Sequence, residues 1–147
     1  QISKAYHSFC NVIPAIAADE NVRVGSFVQS KTSPTNENEV IGASGKAITG
    51  SILGVVVRDS LKVAGDSTPT LAVKKGENCA ILTEGSIFIE TSLQAKKGQY
   101  VFLKTADGSL GFYNASTQND YTYTGFRVSK GNDTATAGII EITTARA

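Results

Sequence analysis

Short apolar runs separated by turn residues fill the chain from Gly45 to Ala147. No window of about 11 residues carries the three-to-four-residue apolar spacing of an amphipathic helix. In order the runs are SILGVVVRD (Ser51–Asp59), TLAVKKG (Thr70–Gly76), GSIFIET (Gly85–Thr91), QYVFLKTADGSLGFYN (Gln99–Asn114), GFRVSKG (Gly125–Gly131) and GIIEITTA (Gly138–Ala145). Runs this short, bounded by Gly, Asp, Asn and Ser, read as strands. The fold they predict is all-β: a compact antiparallel β-barrel or β-sandwich.

Within that frame individual strands carry distinct expectations. SILGVVVRD is continuously apolar, as a strand covered on both faces is. Gly54 inside it predicts a bulge or the close approach of another backbone. In GSIFIET, Ile87 and Ile89 point one way while Ser86, Phe88 and Glu90 point the other. The long run around Asp107-Gly108 alternates on both sides of that dipeptide, which predicts a hairpin reversing there through residues that tolerate positive φ.

The N-terminal part is less regular. Tyr6, Phe9, Val12, Ile13 and Ile16 follow no period, and Pro14 removes a backbone donor and biases Ile13 toward extended geometry. Residues 1–20 therefore read as an extended arm and residues 21–147 as a single β-domain. Val22, Val24 and Val28 alternate as a strand does, Lys31–Glu39 reads as a loop, and VIGASGKAITG has three glycines and little periodicity. The arm is too apolar for a free tail, which points to Tyr6, Phe9, Val12 and Ile13 as interface residues on a neighbouring subunit or on a larger partner. An arm folded on its own barrel is the alternative.

Composition narrows the function. A chain of 147 residues fits one domain and buries about 70% of its unfolded surface without needing a disulfide or metal. Net charge is +1 with both signs interspersed, so no basic stripe marks a nucleic-acid partner. No apolar run is long enough to span a membrane as a helix, and no cationic segment followed by an apolar stretch opens the sequence as a signal peptide would. The absence of Met and the start at Gln1 lead us to expect residues upstream. Cys10 and Cys79 share no metal-binding spacing; each reads as a small buried hydrophobe, with a long-range disulfide left open.

No catalytic constellation emerges. The single histidine, His7, lies in the arm, and no GxSxG, HExxH or phosphate-binding glycine motif occurs. Asp19, Glu20, Glu37, Glu39, Glu84, Glu90 and Glu141 fit solvated strand or loop positions. Asp19-Glu20-Asn21 and Asn132-Asp133 lack the ligand order of a calcium loop. The sequons at Asn114 and Asn132 arise easily in a chain rich in Asn, Ser and Thr. No cofactor or enzymatic activity is expected. Tyr100, Tyr113, Tyr121 and Tyr123 read as core or interface packing, since no Trp or basic groove accompanies them.

Several of these strands also resemble, in order, those of the bacteriophage structural cement or head decoration proteins. The likeness starts near Gly25-Ser26-Phe27-Val28 and runs through Gly45–Gly50 into Ile52-Leu53-Gly54-Val55-Val56-Val57. It continues with Val73–Gly76, Gly85–Ile89, Lys97–Phe102 (with Gln99 where the family pattern has Asp) and Ala137–Ile142. The resemblance implies a non-enzymatic virion protein on the outer capsid surface. Its implied partners are the major capsid protein and further copies of itself, as a dimer or trimer. It would cement the shell against packaged-DNA pressure. Alternatives are a tail or fibre component and a carbohydrate-binding β-sandwich, which a planar tyrosine platform would favour.

Overall fold

The alternation read from the sequence becomes ten strands in a computed structural model, which describes residues 11–31, 38–57, 72–132 and 138–144. They are β1 (Asn11–Ala17), β2 (Phe27–Ser30), β3 (Glu39–Gly42), β4 (Ile52–Val57), β5 (Asn78–Glu84), β6 (Ser86–Thr91), β7 (Tyr100–Lys104), β8 (Leu110–Tyr113), β9 (Tyr121–Lys130) and β10 (Gly138–Thr143). Helix is absent among the described residues. Five strands close a barrel in the order β1-β3-β2-β4-β5, and five form an open sheet in the order β6-β10-β9-β7-β8. Every pairing is antiparallel except β1 with β3.

The doubly covered strand is β4. Val56 faces the barrel interior, where it meets Ala15, Val22, Val28, Val40, Val73, Cys79 and Ile81. Val55 faces the other way, into a second cluster with Phe27, Val101, Leu103, Phe126, Val128, Ile140 and Ile142. That second cluster joins barrel wall to sheet, with Phe27 and Phe126 edge to face at 5.6 Å. Both valines are fully buried, each stabilising by about 1.5–3 kcal/mol. Gly54, immediately before them, does both things expected of it. The β2–β4 register slips by one residue beside it, and a Cβ there would run into the Leu82 carbonyl.

The expected arm is in part a wall of the barrel. Residues 11–17 form β1, which pairs with β5 and, from Ile16 onward, with β3. Pro14 is compatible with this because of its position. Ile16 and Ala18 donate their N–H groups toward the β3 side, to Asn38 and Val40, while Ala17 donates toward Glu77 ahead of β5. By alternation the Pro14 nitrogen faces the β3 side, two residues before that pairing begins, so no ladder bond is lost. Residues 1–10, with Tyr6, His7, Phe9 and Cys10, lie outside the described residues, as do Glu37 and most of the loop around it.

The hairpin of β7 and β8 reverses where expected, by a different turn. Lys104 donates to the Ser109 carbonyl at 2.7 Å and Gly108 to the Lys104 carbonyl at 2.7 Å, leaving four residues in the loop. Only Gly108 takes positive φ, at 74°. Asp107 acts instead through its carboxylate, accepting from the Ser109 N–H and hydroxyl. The tip rests on the turn after β3, where a Cβ at position 108 would collide with the Ala43 carbonyl.

Candidate interaction surface

An antiparallel sheet covered on one face ordinarily turns polar side chains outward. The open sheet breaks that rule. Val101 and Leu103 of β7 point to the shared core, so Tyr100 and Phe102 point outward. There they meet Tyr121 and Tyr123 of β9 and Tyr113 of β8. Phe102 is nonetheless only 1% exposed. Its ring lies 5.7 Å from Tyr113, 6.3 Å from Tyr121 and 5.6 Å from Tyr123, so the tyrosines roof it over. Gly111 makes the space: a Cβ there would sit 2.8 Å from the Tyr121 ring and 2.9 Å from the Tyr113 ring.

The rings brace one another edge to face. Tyr113 and Tyr121 lie 5.1 Å apart at 67°, and Tyr100 and Tyr123 lie 5.4 Å apart at 73°. Each such contact contributes about 0.5–1.5 kcal/mol beyond area burial. Arg127 stacks its guanidinium 4.3 Å over the Tyr100 ring and donates to the Gly98 carbonyl at 2.7 Å. The Tyr113 and Tyr123 hydroxyls stay protonated at neutral pH. A hydrogen bond with Tyr121, then burial, raises the Tyr113 pKa, while burial raises that of Tyr123.

Toward the other edge the same face carries a second apolar patch. Phe88 on β6 is 58% exposed and Ile139 on β10 is 63% exposed. Between the patches runs a polar seam, where the Ser129 hydroxyl donates to the Glu141 carboxylate at 2.7 Å. Aromatic groups, one arginine and exposed apolar anchors around a satisfied polar seam are the composition of a protein-binding face. The tyrosine planes cross at steep angles rather than forming a platform, so they do not match a flat sugar ring.

Of the residues singled out in the arm, Val12 is 44% exposed on the barrel wall, and Ile13 packs against the barrel core. They lie on β1, not on the sheet face. Among the acidic candidates, Asp19 is tied to Lys46 at 2.8 Å and Glu39 to Lys31 at 3.2 Å. No group of three or more His, Cys, Asp or Glu side chains converges among the described residues. The sequence named the four tyrosines of the face but not Phe102 or Arg127. Alternation along YVFLK, in which Phe102 falls between Val101 and Leu103, was the available signal for Phe102.

Compared with known proteins, the chain matches over residues 3–145 the family model described as Structural cement protein (E217 gp24/Pam3 gp6). No curated protein matches it. Among solved structures it is similar to a chain from the capsid of Myoviridae Phage XM1, at 14% identity and a TM-score of 0.59. That alignment covers 93% of this chain and 84% of the other. At that identity the likeness speaks for the fold alone.

Proposed function

Since the chain belongs to the structural cement protein family, its role is to stabilise a phage capsid, and we propose that it does so from outside the shell through the outward face of the open sheet. The partner on this reading is the major capsid protein, each cement copy bridging neighbouring capsid subunits as part of a dimer or trimer. The observation that carries it is the aromatic and apolar character of a sheet face that solvent alone would make polar, with Phe88 and Ile139 as its most exposed anchors.

The mechanism is linkage. A protein that binds only the mature shell stabilises it by RT ln(1 + [L]/Kd), about 2.7 kcal/mol per site when the ligand stands a hundredfold above Kd. Bracing by Phe102 and Arg127 holds the tyrosines in place beforehand, so little side-chain entropy is lost on docking. No chemistry is required, and no enzymatic activity is part of this reading.

Co-sedimentation with shells lacking the cement protein tests it. Phe88→Ser and Tyr123→Ser alter exposed side chains, so both variants keep the parent's circular dichroism while shell retention falls at least tenfold. Parent-like retention of both variants would remove this face from the contact.

A further inference from the structure

A net charge of +1 hides a local imbalance that only the fold creates. The turn between β6 and β7 lies along the end of β9. There the Asn132 N–H donates to the Ala95 carbonyl at 2.9 Å, the Gly98 N–H to the Val128 carbonyl at 2.8 Å, and the Val128 N–H to the Gln99 carbonyl at 2.8 Å. Lys96 and Lys97 sit between those anchors, beside Ser129, Lys130 and Gly131. A Cβ at position 131 would stand 3.0 Å from the Lys96 Cα. Lys96, Lys97 and Lys130 are exposed, and half-buried Arg127 completes the group.

Two of these cations belong to the outward face of the sheet. In the β9–β10 ladder Lys130 stands opposite Glu141 and Arg127 opposite Thr143, and opposite residues of a ladder share a face. That face is the outward one, because Ile140 and Ile142 point into the shared core. Glu141 is the carboxylate at this corner, and it accepts the Ser129 hydroxyl at 2.7 Å. Among the described residues the ion pairs are Lys31–Glu39 and Lys46–Asp19, so none of the four cations here is paired.

Arg127 is already oriented for a partner. Its guanidinium lies 4.3 Å over the Tyr100 ring, and Nη2 donates to the Gly98 carbonyl at 2.7 Å, which fixes its plane. Nε is the one buried side-chain nitrogen or oxygen without a hydrogen bond among the described residues. The isolated fold thus carries an uncompensated donor to hold the group there. Nη1 bonds to no described group either, and since it is not buried it reaches solvent. A stacked, planar guanidinium with free N–H groups matches a carboxylate, and such charge-assisted bonds are the strong ones.

We propose that this corner docks an acidic segment of the major capsid protein, with Arg127 gripping one carboxylate and Lys96, Lys97 and Lys130 supplying the surrounding field. The inference rests on the sheet face being the docking surface. Tyrosines and apolar anchors supply contact area, while the charged corner steers the encounter and fixes its register. Nucleic acid fits less well, because the rings pack edge to face against one another and offer no open plane to a base.

Co-sedimentation with shells lacking the cement protein, in NaCl from about 50 to about 300 mM, tests this. Retention of the parent should weaken by about tenfold over that range. The combined variant Lys96→Gln, Lys97→Gln and Lys130→Gln alters exposed side chains, so its circular dichroism stays parental. Its retention at low salt should fall, and its salt response should drop to about half of the parent's or less. Arg127→Lys keeps the charge but loses the fork and the ring stack, so retention should fall while the salt response stays parental. Salt-independent retention of the parent, or a lysine variant with parental retention and salt response, would overturn the proposal. Loss of retention by Phe88→Ser in the same assay would then show that the face itself still docks. Tighter binding of the isolated parent to duplex DNA than to shells at equal salt would also overturn it, by making the corner a phosphate site.

Discussion

Gln29 is the side chain whose loss should be felt most widely. It is fully buried in β2 and uses its whole amide. Nε2 donates to the carbonyls of Gly42 at 3.1 Å and Ala47 at 3.0 Å, and Oε1 accepts from the N–H groups of Thr49 at 2.7 Å and Gly50 at 3.0 Å. Two carbonyls on one side and two donors on the other fix which way the amide points. These bonds hold the irregular stretch from Gly42 to Gly50 against the barrel. Gln29→Leu preserves volume but deletes all four. At about 1 kcal/mol net per bond the gross loss is about 4 kcal/mol, and added apolar burial returns about 1 kcal/mol, so about 3 kcal/mol is expected. For a chain of this size that lowers Tm by about 6–12 °C. Urea unfolding by circular dichroism reads it, as a shifted midpoint at unchanged slope. Gln29→Glu should be at least as damaging, since an oxygen then faces two carbonyls in a dry site. A leucine variant within about 1 kcal/mol of the parent would refute the reasoning.

Gly54→Ala should prevent normal folding or cost more than about 3 kcal/mol, because the new Cβ meets the fixed Leu82 carbonyl rather than a movable side chain; parent-like urea stability would contradict this. Phe102→Ala should cost about 3–5 kcal/mol despite lying outside the shared core, and it should weaken shell binding by loosening the tyrosines above it; a small loss in denaturation would mean the outward cluster is not packed. Asp19 should give stability an acid limb. Burial pushes its carboxyl up, but the Lys46 hydrogen bond, the Asn21 and Gly42 N–H groups and the Lys46 charge together leave it below 3.8. A folded-state pKa below the unfolded one means the contribution is complete above 3.8 and is lost as pH falls through the lower folded value. Asp19→Asn should flatten that limb in unfolding measured from neutral to strongly acidic pH.

Legibility in the sequence tracked how local the governing interaction is. The β7–β8 reversal, the two-sided burial of β4 and the alternation of β6 depend on neighbours a few residues away, and their residues announce them. The turn type at Asp107-Gly108 differs because the tip must also fit the Ala43 turn, a contact 65 residues distant in sequence that no dipeptide encodes. β5 passed unnoticed as NCAILTE, a run that opens with polar Asn78 and small Cys79 and lacks a bounding alternation. β1 was read as an arm because Pro14 discounts a strand until the side of its missing N–H is known. Gln29 looks like any polar residue in FVQS; only the folded stretch from Gly42 to Gly50 gives its amide four partners. In the interaction surface the tyrosines were visible by type, whereas Arg127 acquires meaning only once β7 and β9 lie side by side.

The passage from β5 to β6 through a single glycine has a mechanical consequence. β5 is clamped in the barrel between β1 and β4, and β6 is clamped in the sheet by β10. Tension along the backbone of β6 is therefore passed to β5 through Gly85. Pulled that way, the bonds flanking β5 are loaded in shear and must yield together, whereas a strand peeled from its end gives up its bonds one at a time. The Gly85 junction thus ties barrel to sheet through backbone whose bonds on both sides of β5 must yield as a group.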